Sequence, residues 1–175
     1  MATNLEFIKS ATLTSQSASM SITDCFSANY DSYQVIITKM TASADDTMRF
    51  TYIDNGGSEI TASNYDFAQQ VLYSSFAFQE EKNTNQSSSI IGGYGIQTDD
   101  EGMGTVMTIF NPFTSSYTFH TLQIGYKAGT SQTEVGRKGI GVEHTAQTIT
   151  GIHLLSNGTN VMDSLTVSVY GLASN

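Results

Sequence analysis

Residues 164–175 read SLTVSVYGLASN. Leu165, Val167 and Val169 alternate with Thr166, Ser168 and Tyr170, the two-residue period of a strand with one buried face. Chain ends are poorly ordered unless something ties them down. A last element of this kind is expected to be tied into a sheet, with Gly171 bending out the three residues that follow. The fold then depends on whether the rest of the chain supplies strands for this one to join.

It does. LEFIK (5–9), SASMSIT (17–23), YQVIITKM (33–40) and TMRFTYI (47–53) all read as strands. YQVIITKM is apolar on both parities, as expected of a central strand covered on both faces. TMRFTYI puts Met48, Phe50 and Tyr52 on one side and runs into DNGG (54–57), a strong hairpin signal. NYDFAQQVLYSSFAF (64–78) carries a helix-like spacing at Phe67, Val71 and Leu72, but its Tyr, Phe and Val content favours extended structure. EEKNTNQSSS (80–89) is polar and low in complexity and reads as a surface loop. IIGGYGIQ (90–97) reads as a glycine-interrupted strand or bend, and DDEGMG (99–104) as an acidic turn. TVMTIFNPF (105–113) is a strand stopped at Asn111-Pro112, since proline cannot donate to a ladder. SYTFHTLQIGYK (116–127), GIGVEH (139–144) and QTITGIHLL (147–155) follow, and the SNGTN turn (156–160) leads to the closing strand.

Nine or ten strands and no firm helix give an all-β fold: an antiparallel two-sheet β-sandwich, jelly-roll-like. The expected organisation is one domain over 1–175, with a short N-terminal arm at 1–4 and a short C-terminal end at 173–175. There is no long linker and no fixed-period repeat.

Composition narrows the function. Charged residues are 13% of the 175, below the ~25% usual for soluble domains. Ser and Thr supply the polarity instead. A net charge of −9 and a pI near 4.5 repel phosphate, so nucleic acid is not an expected partner; no apolar run approaches the ~20 residues of a membrane span, so no membrane is expected either. MATNLEFIK lacks the basic and apolar regions of a secretory leader. Cys25 alone can form no internal disulfide and, within SITDCF, reads as a small buried hydrophobe. The adjacent basic pair, Arg137-Lys138, reads as a solvated loop, with docking on an acidic partner as the alternative.

No motif assembles a catalytic, cofactor or metal site. GRKGIG (136–141) and GGYG (92–95) lead into strands rather than helices, so close packing or bends explain them better than a phosphate cradle. Asp45-Asp46, Glu80-Glu81 and Asp99-Asp100-Glu101 read as solvated turns, each able to give at most one or two oxygens to a cation shared between subunits. His120, His144 and His153 are dispersed and read as structural. Serine is so abundant that a Ser-His-Asp match by composition means nothing, and no GxSxG elbow is present. Asn85-Gln86-Ser87 and Asn157-Gly158-Thr159 fit the glycosylation triplet by chance. Tyr94, Phe113, Tyr117 and Tyr126 lie at expected loop edges, where sugar-stacking aromatics would sit; edge packing is the plainer reading.

Four stretches together carry a resemblance: FSANYDSYQVIITKMTAS (26–43), MRFTYIDNGGSEITASNYDFA (48–68), TIFNPFTSSYTF (108–119) and TITGIHLLSNGTNVMDSLTVSVYGL (148–172). In this order they resemble β-sandwich virion proteins of tailed bacteriophages, of the capsid-decoration, head-fibre or tail-fibre type. The resemblance runs from about residue 5 to 172 and transfers no site residue. It implies a non-enzymatic structural protein of the virion, assembled in the host cytoplasm. A compact block with little tail suits a capsid-surface decoration or cement protein. The alternatives are a tail or head fibre domain that recognises a host surface glycan, or a free carbohydrate-binding module. The implied partners are its own copies, a trimer among the forms considered, and the major capsid or another virion protein.

Overall fold

The computed structural model describes residues 5–75, 77–92, 102–128, 133–158 and 160–172. Among the described residues twelve strands are present: β1 (Leu5–Leu13), β2 (Ser19–Ile22), β3 (Ser32–Ala42), β4 (Met48–Asp54), β5 (Tyr65–Tyr73), β6 (Gln79–Gln86), β7 (Ser89–Ile90), β8 (Met103–Phe110), β9 (Thr118–Ala128), β10 (Thr133–Glu143), β11 (Ile149–Ser156) and β12 (Met162–Leu172). They form an eight-stranded sheet, β1-β12-β3-β8-β9-β10-β5-β6, and a four-stranded sheet, β2-β11-β4-β7. Every ladder is antiparallel. The expected all-β, jelly-roll-like sandwich is the architecture found.

The closing strand takes the place its alternation requires. β12 lies between β1 and β3, with Val167 opposite Ala11 on one side and Ile37 on the other. Leu165, Val167 and Val169 are buried against β4 and β11 residues such as Phe50, Ile152 and Leu154 in one core. Gly171 is not a bend but part of the strand, and it is there for space. A Cβ at this position would come within 2.6 Å of the Tyr30 ring. Tyr30 in turn packs edge-on against Tyr33, which closes the 26–33 loop through hydrogen bonds between its hydroxyl and the Ser27 backbone.

Several expectations change. β3 is central but faces the core on one side: Tyr33, Val35, Ile37, Met40 and Ala42 are buried in it, while Gln34 and Ile36 point outward and are half-buried. The DNGG turn forms, with Asp54 Oδ1 accepting from the Gly56 and Ser58 N–H groups and Gly57 at φ 81°. It closes only a single bridge, Ile53 to Glu59. The returning chain then crosses to the other sheet as β5, so no full hairpin is made. Of the stretch 64–78, residues 65–73 are strand, as their composition favoured, and the other described residues are not. EEKNTNQSSS is not a loop: most of it is β6, which pairs with β5 along the edge of the large sheet. Nearly every β6 side chain is exposed, so no apolar period marks it. Its charges are what protects an edge strand from pairing with another chain.

A four-stranded sheet cannot cover eight strands. At the β10-β5-β6 end the inner face is therefore closed partly by polar groups. Arg137 points inward from β10, is 7% exposed, and donates to Glu81, Gln69 and the Tyr126 hydroxyl. Gln69 passes the network on to the Ile90 carbonyl at 3.0 Å. The solvated-loop reading of Arg137-Lys138 fails here: the pair lies in mid-strand, so its two side chains face opposite ways. Arg137 is enclosed, and Lys138 is exposed on the outer face.

Candidate functional site

In an antiparallel sheet directly opposed residues share a face, so the register shows which distant residues become neighbours. One row of outward positions crosses all eight strands as Ser10, Ser168, Ile36, Val106, Gln123, Lys138, Gln70 and Glu80. The next row is Phe7, Tyr170, Gln34, Thr108, Thr121, Ile140, Ala68 and Lys82. A third begins at Leu5 and Leu172 and continues through Ser32, Phe110, Phe119, Val142 and Asp66. None of these rows is visible in the chain order.

Six of the eight large apolar side chains left exposed among the described residues lie on this one face: Leu5, Phe7, Val106, Phe119, Ile140 and Leu172. Scattered exposure needs no explanation, whereas gathering on one face makes that face the candidate surface. Phe119 is 52% and Ile140 62% exposed, although both sit in the middle of long, well-paired strands.

Two hollows open on the face and share Ala68, Thr121 and Ile140. One, of about 560 Å³, is lined by Gln34, Gln70, Gln123, Thr108 and Lys138 together with Val106. The other, of about 470 Å³, is lined by Phe110, Phe119 and Val142, with Asp66 and Lys82 at its rim. Both fall within the ~300–1,000 Å³ of ordinary small-ligand sites. In a chain of net charge −9 the three rows carry two basic and two acidic groups, all at the β10-β5-β6 end. The stretch over β1, β12, β3, β8 and β9 is uncharged.

No family model matches the chain, and no curated protein matches it. Among solved structures it is similar to peanut lectin with a nine-residue peptide, at 11% identity and a TM-score of 0.38, covering 99% of this chain and 85% of that one. It is also similar to the structures of infectious bursal disease virus strains Gx and Gt. These are 11% and 12% identical, each with a TM-score of 0.17 and covering 95% of this chain and 41% of that chain.

The residues singled out in the sequence are mostly elsewhere. His120 points into the core, where Tyr52 and Ser89 hydroxyls lie 3.4 and 3.3 Å from its two ring nitrogens. Burial pulls its pKa down to about 3. Gly141 makes that room, since a Cβ there would meet the imidazole at 2.5 Å. In GRKGIG, then, Gly139 and Gly141 serve close packing, since a Cβ added at Gly139 would meet the Gln69 side chain at 2.6 Å. His144 stacks edge-on with Tyr117 and faces Asp66 at 3.8 Å.

His153 joins a line that residue types alone could not reveal. Its Nδ1 is 2.7 Å from the Ser21 hydroxyl and its Nε2 is 3.4 Å from Glu59. A carboxylate only accepts, so in the neutral imidazole the proton sits on Nε2 and Nδ1 accepts from the Ser21 hydroxyl. The three groups sit on β2, β11 and the turn after β4, and they pin the edge strand β2 to its sheet. Burial lowers the His153 pKa and the Glu59 charge partly restores it.

Cys25 is 2% exposed, and burial pushes its thiol up to about 12, so it behaves as the buried hydrophobe expected. Asp46 departs from the solvated-turn reading: it is buried, accepting from the Ser156 hydroxyl and from the Thr47 N–H. Glu80 and Glu81 lie on β6, not in a turn. Asn85 lies on β6 at φ 55°, and Asn157 in an exposed turn. Tyr126 is no loop-edge aromatic; it is buried on β9 against Arg137. Phe113 is half-buried and Tyr117 exposed. Tyr94 with the rest of 93–95, the acidic run 99–101, and Thr159 lie outside the described residues. Among the described residues no three of His, Cys, Asp and Glu come together as metal ligands.

Proposed function

We propose that this chain is a non-enzymatic surface protein of a tailed-phage virion, seated on the capsid as a decoration protein. On this reading it presents the outer face of its eight-stranded sheet as a recognition surface. The observation that carries the second part is the gathering of exposed apolar groups and unpaired amides on that one face. The virion assignment draws its support from the sequence resemblance. Its edges and loops are left to contact its own copies and the capsid protein.

A second reading is favoured by the makeup of the same face. Amides, hydroxyls and aromatic rings side by side suit an adsorption domain on a tail or fibre that recognises a host glycan. Quantitative mass spectrometry of purified particles separates the two. Hundreds of copies on the head support decoration, and a handful at the tail support adsorption. Absence from particles would sink both and leave a free carbohydrate-binding module.

A further inference from the structure

We infer that the two hollows on the outer face form one binding site for an uncharged polysaccharide, lying across β3, β8, β9, β10 and β5. This rests on the glycan-recognition reading above and names the ligand class and the residues.

Charge selects the class. A polyanionic glycan needs cations along its length, yet the three rows offer none over β1, β12, β3, β8 and β9; Lys138 shares its row with Glu80, and Lys82 lies 3.3 Å from the same Glu80. The net charge of −9 adds a long-range penalty for any anion. A polycation would be drawn to the acidic remainder of the surface rather than to this neutral field. An uncharged, hydroxyl-rich chain meets no such penalty.

Hydrogen-bonding capacity says what the ligand must offer. The side chains of Gln34, Gln70, Gln123, Thr108 and Thr121 make no hydrogen bond with the protein among the described residues. Each amide presents two donors and an acceptor, and each hydroxyl both donates and accepts. Pairs of sugar hydroxyls match that mixture. A purely apolar peptide would leave it unused and desolvated, at a cost.

The second hollow supplies the other half of sugar recognition. Phe119, exposed beside Phe110 and Ile140, offers a flat apolar platform for the C–H face of a pyranose ring. The two hollows are joined at Thr121 and Ile140, so consecutive sugars would occupy a polar and then an apolar subsite along one line. Successive rows on one face are two residues apart, ~7 Å along the strands, so the step from the polar to the apolar subsite runs along the strand direction.

The test uses the full chain. Binding would be screened on an array of neutral glucans, mannans, galactans and N-acetylglucosamine oligomers, with alginate and polysialic acid as acidic members, and quantified by calorimetry. Saturable binding to a neutral member, not to the acidic ones, is expected. Phe119→Ala and Gln123→Ala should each weaken it about tenfold while leaving the thermal melt unchanged. Ser19→Ala, on the other sheet, should leave it unchanged. Preference for the acidic polymers, no binding to any neutral glycan, or a dimer in sedimentation abolished by Phe119→Ala would each overturn the inference. Failure here with the chain abundant on virion heads would leave the decoration reading standing, so the two outcomes separate.

Discussion

Acid should destabilise this protein through one side chain more than through any other. His120 is enclosed by Phe50, Tyr52, Ser89 and the Gly141 backbone, and its pKa of about 3 lies well below the ordinary 6.5. The folded state therefore binds a proton at this site less readily than the unfolded chain does. Its contribution to stability is whole above about pH 6.5 and is lost as pH falls toward the folded value. Linkage gives a loss of about 2 kcal/mol at about pH 5 and about 3 kcal/mol at about pH 4. The surrounding tyrosines do not blur this window, because burial raises Tyr52 and Tyr65 away from it. Burial lowers the His153 pKa as well, so the comparison must be internal. His120→Gln keeps groups able to meet Tyr52 and Ser89 but cannot charge. Urea unfolding of both proteins between pH 7 and 4 would be measured. The free-energy difference between them should shift by about 2 kcal/mol toward the variant by about pH 5. Parallel curves would refute the burial argument.

Further substitutions test the packing. Arg137→Glu places a carboxylate beside Glu81 in an enclosed network and should cost at least ~3–5 kcal/mol, enough to prevent soluble expression; Arg137→Met, of similar volume, should be tolerated far better in the same urea titration. Gly171→Ala drives a methyl into the Tyr30 ring and should lower stability by ~1–3 kcal/mol, most of it recovered in the double variant with Tyr30→Ala. Val167→Asp buries an unpaired charge between the sheets and should abolish folding, as read by loss of the cooperative thermal transition.

The sequence showed the inner face well and the outer face hardly at all. Leu165, Val167 and Val169 announce their strand because burial on one side imposes a period of two, and the same holds for Met48, Phe50 and Tyr52. β6 escaped because an edge strand with both faces wet has no apolar period; only its pairing with β5 makes it a strand. Arg137 misled for a related reason. Charge argues for solvent, and the argument fails where a narrow sheet leaves inner positions for a polar network to fill. The candidate site was beyond reach for a geometric reason. Gln34, Thr108, Thr121 and Ile140 stand side by side only through the β3-β8-β9-β10 register, and periodicity yields faces but not partners. The Ser21-His153-Glu59 line is hidden by the same gap.

Hydroxyl-radical footprinting of the chain with and without envelopes from the host cell tests most directly whether the outer face is the working surface. Protection should concentrate on Phe119, Ile140 and Val106, with Leu155 on the opposite sheet unchanged. Protection of Leu155, with Phe119 and Ile140 as reactive as in the free protein, would contradict the account.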